Sequence, residues 1–114
     1  MASPQVENGY APIANELLDA IIMFGFKGTH LLILLWVIRR TFGWSRKTAE
    51  FSWHRIAEEV GMDHGGIVRQ GNMLLKAKVL VVSNGQLGIQ KNHELWKWPK
   101  RPEKKTRFRV VDVN

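Results

Sequence analysis

The sequence predicts a mainly α domain with a small β-hairpin, folded as a winged helix-turn-helix. Three observations carry this. Apolar residues recur every 3 or 4 positions through residues 53–60 and again through 64–77. Gly61 separates these two runs, suited to the positive φ of a tight turn. Directly afterwards the pattern changes to period 2 on either side of Asn84-Gly85, a strong short-range hairpin signal.

The helix-turn-helix is the best-marked stretch. Ser52 is placed to cap a helix over 53–60, whose apolar positions are Trp53, Ile56, Ala57 and Val60. Ala57 is small where a second helix must cross closely, and Met62 is expected to plug the space between the two helices. Asp63 then caps a helix over 64–77, in which Ile67, Gly71 and Leu74 share one face and Gly65, Arg69, Asn72 and Lys76 the other. Two packed helices of an ordinary bundle would show the same stripes. The small residue, glycine turn and plug occur together at the required spacing, however, and a hairpin follows at once.

The earlier chain reads as support for this unit. Residues 1–8 are polar, and Asn8-Gly9 opens a turn before Pro12. A first helix is expected over about 13–24, with Ile13, Leu17, Ala20, Ile21 and Phe24 as its stripe. Gly25-Phe26-Lys27-Gly28 breaks it, and Thr29 is a candidate cap for a second helix over 29–41. That helix is apolar all round, as a central helix covered on most sides would be, and Arg39 and Arg40 suit its negative end. Ala49-Glu50-Phe51 reads as a short edge strand. In the wing, residues 79–90, a two-residue turn pairs Ser83 with Gln86, Val82 with Leu87, Val81 with Gly88 and Leu80 with Ile89. Leu80, Val82, Leu87 and Ile89 then share the inner face, and Leu95, Trp96 or Trp98 packs back to close the domain.

Bulk properties narrow the function classes. A chain of 114 residues is one domain with a modest core, assigned to residues 1–98, followed by a basic, proline-flanked tail or linker over 99–114. There is no cysteine, which excludes disulfides and thiolate metal sites, and the four histidines lack paired helical spacing. Glu58 and Glu59 are adjacent and cannot face one another on a helix, and no phosphate-cradling glycine loop is present. Neither an enzyme nor a cofactor or metal site is expected. No signal peptide or membrane-length apolar run is found, so a soluble chain is expected. Of the formal charge of +7, the tail contributes +4 through Lys100, Arg101, Lys104, Lys105, Arg107 and Arg109 against Glu103 and Asp112. The preceding residues hold only +3.

Several segments are similar to a known family. They are Asn8-Gly9-Tyr10 with residues 13–18, Val37-Ile38-Arg39-Arg40-Thr41-Phe42-Gly43-Trp44 with Arg46-Lys47, Ile56-Ala57, Val60-Gly61-Met62, residues 72–80 and residues 92–96. Together they resemble the N-terminal domain of the phage replication protein O family, over about 4–96. The resemblance implies a winged helix that binds repeated double-stranded sites at a phage replication origin, as a homodimer on each two-fold site. It also implies a further C-terminal part that recruits a helicase loader or replicative helicase, and action in the cytoplasm of a bacterial host. This sequence departs from the family pattern at His64-Gly65-Gly66 and at Gln70, where the family prefers a small apolar residue. The base preference therefore does not carry over.

A recognition helix reads base edges from its first turns while phosphate contacts set its register. The candidate base readers are His64, Gly65, Val68, Arg69 and Asn72, with Arg69 suited to guanine and Asn72 to adenine. The candidate phosphate contacts are Arg46, Lys47, Gly66, Lys76, Lys78, Asn84 and Gln86, with Lys100, Arg101, Lys104 and Lys105 of the tail. The tail reads equally well as a DNA-binding arm or a solvated linker. Gly65 and Gly66 either let backbone approach DNA closely or mark a frayed first turn. Two other functions fit the same fold: a transcriptional regulator, and a protein-interaction winged helix that never touches DNA.

Overall fold

A computed structural model describes residues 9–44 and 46–99. Helices α1 (Asn15–Phe24) and α2 (Gly28–Thr41) are followed by strand β1 (Thr48–Glu50), helices α3 (Trp53–Val60) and α4 (His64–Lys76), and strands β2 (Leu80–Ser83) and β3 (Gln86–Ile89). Single 3-10 turns at Phe42–Trp44 and His93–Leu95 complete the order. The tail assignment and the four tail candidates Lys100, Arg101, Lys104 and Lys105 lie outside the described residues.

The helix boundaries follow their local chemistry. Ser52 Oγ accepts from Arg55 N at 3.0 Å to start α3, and Gly61 ends it at φ 72° in the left-handed region. Asp63 Oδ2 accepts from Gly66 N at 3.1 Å to start α4. The first two helices depart from expectation at their starts. α1 begins at Asn15, two residues late, because Ala14 is its cap and supplies no side-chain acceptor. α2 begins at Gly28, so Thr29 lies inside the first turn and caps nothing.

The sheet has the order β1-β3-β2, all antiparallel. The β2–β3 register is the one the Asn84-Gly85 turn imposes, with Leu80 opposite Ile89 and Ser83 opposite Gln86. Asn84 and Gly85 both take positive φ, 53° and 76°, as a tight hairpin turn with matching twist requires. β1 adds to the far side of β3, with Thr48 opposite Gly88. Gly88 is needed there, since a Cβ would lie 2.6 Å from the Lys47 carbonyl oxygen.

Three expectations about burial are corrected. Val82 is 46% exposed although its partner Leu87 is fully buried. β3 is flanked on both sides, whereas β2 is an edge strand whose end runs out beside the turn. Met62 is 41% exposed and plugs nothing. The gap between α3 and α4 is filled instead by the indole of Trp53 lying on Gly71. Leu32 and Leu35 of α2 are 37% and 49% exposed, so that helix is covered on one broad face by way of Ile33, Leu34, Trp36, Val37 and Ile38. Of the closing residues, Trp96 is buried and Trp98 half-buried, while Leu95 is exposed. Trp96 packs edge-on against Phe24 and Phe26, and its Nε1 donates to Gln90 O at 2.7 Å.

The Trp53–Gly71 contact makes a prediction. Alanine is worth up to about 1 kcal/mol over glycine in a helix interior, but a Cβ at 71 would stand 2.4 Å from Trp53 Cζ3. Overpacking of this kind costs about 1–3 kcal/mol. Gly71→Ala should therefore lower stability in chemical denaturation, against its helix propensity.

Candidate nucleic-acid interface

Helix α4 presents two unlike sides. Ile67, Gly71 and Leu74 are buried against the core, while His64, Gly65, Arg69, Asn72 and Lys76 are all exposed. Val68 and Gly66 are half-buried between them. The N–H of Gly66 is already donated to the Asp63 carboxylate, which takes that donor from any phosphate. Nothing in the fold demands glycine at 65, where a Cβ would meet only Asp63 Oδ2, at 3.2 Å.

The flanking candidates lie on three loops. Arg46 and Lys47 are exposed before β1, and Arg46 borders a shallow hollow shared with Arg40, Arg55 and Glu50. Lys78 is exposed just beyond α4, at φ 62°. At the wing, Asn84 is exposed, and Gln86 is half-buried with its Oε1 accepting from Thr48 Oγ1 at 2.8 Å. That bond engages the amide oxygen of Gln86, and the N–H groups of the same amide are donors of the kind that suit phosphate or minor-groove acceptors.

Sequence reasoning missed two features. The first is His54 of α3, whose ring lies 5.6 Å from that of His64, with Nε2 2.8 Å from Glu58 Oε1. The His54–Glu58 spacing is legible on a helix, but its meeting with His64 requires the α3–α4 crossing. The second is Glu59, which pairs with Arg40 of α2 and, at 2.7 Å, with Arg55 Nε, and accepts from Trp36 Nε1 at 3.3 Å. These bonds tie two arginines to one carboxylate, so each guanidinium has a protein partner that composition alone does not reveal. The unusual Gln70 has a structural setting: it stands beside half-buried His30 of α2, with Gln70 Oε1 and His30 Nε2 both shut off from solvent. Burial pushes His30 below its ordinary range, with Gln70 acting in the opposite direction.

Helix, glycine turn, recognition-type helix and three-stranded wing define a winged-helix domain. The family model for bacteriophage replication protein O matches residues 3–96, and the chain belongs to that family of phage replication proteins. The chain is also 32% identical over 93 residues to a DNA replication protein, gp18, of Salmonella phage P22. The alignment covers 82% of this chain and 34% of that protein, so the chain spans about a third of its relative's length. No solved structure is matched. A role connected with replication follows from the family. Among the described residues no helix is long and apolar enough to cross a membrane.

Glu59 makes the pH dependence specific. Hydrogen bonds from Arg55 and then Arg40 hold its carboxyl below the ordinary value of 4.5. A carboxyl lowered on folding stabilises the fold above its unfolded value, and this is lost as pH falls from 4.5 through the lowered value. Glu59→Gln should destabilise the protein at pH 7, and the difference from wild type in denaturant titrations should close under strongly acid conditions.

Proposed function

We propose that this domain recognises double-stranded DNA at repeated sites of a phage replication origin, with α4 in the major groove. The observation that carries the reading is the division of α4, where Ile67, Gly71 and Leu74 are buried while Arg69 and Asn72 project from a polar, exposed side. Arg69 matches guanine O6 and N7, and Asn72 an adenine edge one turn further along. His64 and Gly65 bring the start of the helix near the bases, and His54 stands beside them. Arg46, Lys47, Lys76 and Lys78 supply phosphate contacts, with Asn84 and Gln86 at the wing. In this reading two copies bind each two-fold site in the host cytoplasm. A C-terminal part, of the kind the longer relative has room for, brings in a helicase loader or helicase.

One observation favours a different reading. Residues before the tail hold a net charge of only +3, and Glu59 engages two of their arginines. Such a body suits a winged helix that docks on protein, which failure to bind any duplex at low salt would establish. A transcriptional regulator separates from an initiator by footprinting, through one operator over a promoter rather than a cluster of origin repeats.

Selection of binding sites from random duplexes tests the proposal directly. Arg69→Ala should cost about 1–3 kcal/mol on the selected site and relax preference at one base pair. Lys47→Ala should weaken all duplexes alike and lower the slope of log affinity against log salt by about 0.9. Changing Lys100, Arg101, Lys104 and Lys105 to glutamine lowers the slope further if the tail is an arm, and leaves it unchanged if it is a spacer. Gly65→Ala should hold or raise thermal stability while lowering affinity for the selected duplex. Unchanged affinity would reduce the glycine to a frayed first turn.

A further inference from the structure

The two edges of the sheet are unlike. β1 is three residues long, carries Glu50 at its end and is preceded directly by Lys47, and short length and charge are devices by which proteins blunt an edge. β2 reads Leu80-Val81-Val82-Ser83 and carries no charge, proline or bulge. Its hydrogen-bonding phase follows from the hairpin. Gln90 N donates to Val79 O at 2.9 Å, and the register pairs Val81 with Gly88 and Ser83 with Gln86. Odd-numbered residues therefore bond β3, and the N–H and C=O groups of Leu80 and Val82 point away from the sheet. Among the described residues these four groups have no backbone partner.

An open groove runs beside this edge. Leu75, Val81 and Leu95 form its apolar part, and Lys78, Lys97 and Glu94 stand around it. Val82 at 46% and Leu95 at 50% exposure are apolar side chains left uncovered there.

We propose that the free edge of β2 is where two copies of this chain pair, antiparallel about a two-fold axis through Val81. Leu80 of one copy then exchanges both backbone bonds with Val82 of the other, and the converse pair makes two more, so the outward groups are satisfied with none left over. Such an interface is isologous: the same patch meets itself. The groove suits a second copy because it carries both signs of charge, so Glu94 of each protomer has lysines to meet across the axis. A four-residue strand pair falls well short of the roughly 1,200 Å² of a stable complex. The pair is therefore weak in solution and is completed when DNA holds both copies. The pairing lies at the C-terminal end of α4, leaving His64 and Arg69 toward the other end for bases; only this last step rests on the DNA-binding reading.

Val82→Pro tests the edge, because the N–H it removes is the outward one, unused by the hairpin. Val82→Lys is the second variant, at a side chain already partly exposed to solvent. Sedimentation should show concentration-dependent dimers for wild type and monomers for both variants. On DNA, wild type should bind a duplex with two half-sites on the order of a hundredfold tighter than one half-site. Both variants should keep the half-site affinity within about twofold and lose that advantage. Dimers or cooperativity persisting in Val82→Lys would overturn the proposal, as would a wild type that stays monomeric and fills half-sites independently. A monomeric wild type that dimerises once Phe108 and Val110 are changed to serine would show the chain's own tail on the edge, and would overturn it too. If wild type binds no half-site at all, the DNA reading fails, and sedimentation alone still decides the pairing.

Discussion

The contact of Trp53 with Gly71 sets the distance between α3 and α4, and most of what this domain presents follows from that distance. With no side chain at 71, the indole lies directly on the α4 backbone, itself held edge-on by Phe51 at 5.0 Å. Ile56, Ile67 and Leu74 then close into a core with no exposure at all. The rotation of α4 that buries Ile67 and Leu74 necessarily turns Arg69 and Asn72 outward, because positions 2 and 5 residues away fall on the opposite side of a 3.6-residue turn. The polar side is a by-product of the packed one, and its direction is fixed as firmly as the core.

Charge on this domain is arranged more by pairing than by count. Glu59 draws Arg40 from α2 and Arg55 from its own helix onto one carboxylate, joining the support helix to the helix-turn-helix. Among the described residues, the exposed basic groups around the helix-turn-helix include Arg46 and Lys47 before β1, Arg69 and Lys76 on α4, and Lys78 just after it. A body with so small a net charge exerts little long-range attraction on a polyanion, so any affinity for one would rest on close contacts. If the domain binds duplex DNA as proposed, weight falls on Arg69 and Asn72 and on holding two copies together, which is where an unguarded sheet edge would become useful.

Much of the domain was legible in the residues. Ser52 and Asp63 cap as their chemistry dictates, Gly61 takes the left-handed turn, and Asn84-Gly85 sets the hairpin register residue for residue. These are local decisions, made within four residues by hydrogen bonds and allowed φ. The failures share the opposite character. From sequence Met62 reads as a plug, and Val82, Leu32 and Leu35 as covered, because apolar residues are expected inside, yet all four are exposed. Whether a neighbour arrives to cover them depends on elements far away in the chain. The first two helix starts failed for a smaller reason: neither Ala14 nor Lys27 carries a cap, so nothing local marks the boundary.

By itself, then, the order of residues determined the elements, the hairpin pairing, the two sides of α4 and kinship with a family of phage replication proteins, since all of these rest on short-range periodicity and motif. Only the tertiary structure decided that His54 meets His64, that Glu59 gathers two arginines, that Gln70 stands beside His30, and that β1 closes one edge of the sheet while the other stays open. Apart from Arg55 and Glu59, one helical turn apart, those are contacts between residues ten to forty apart, and they exist because packing brings together groups whose spacing in sequence carries no information about distance.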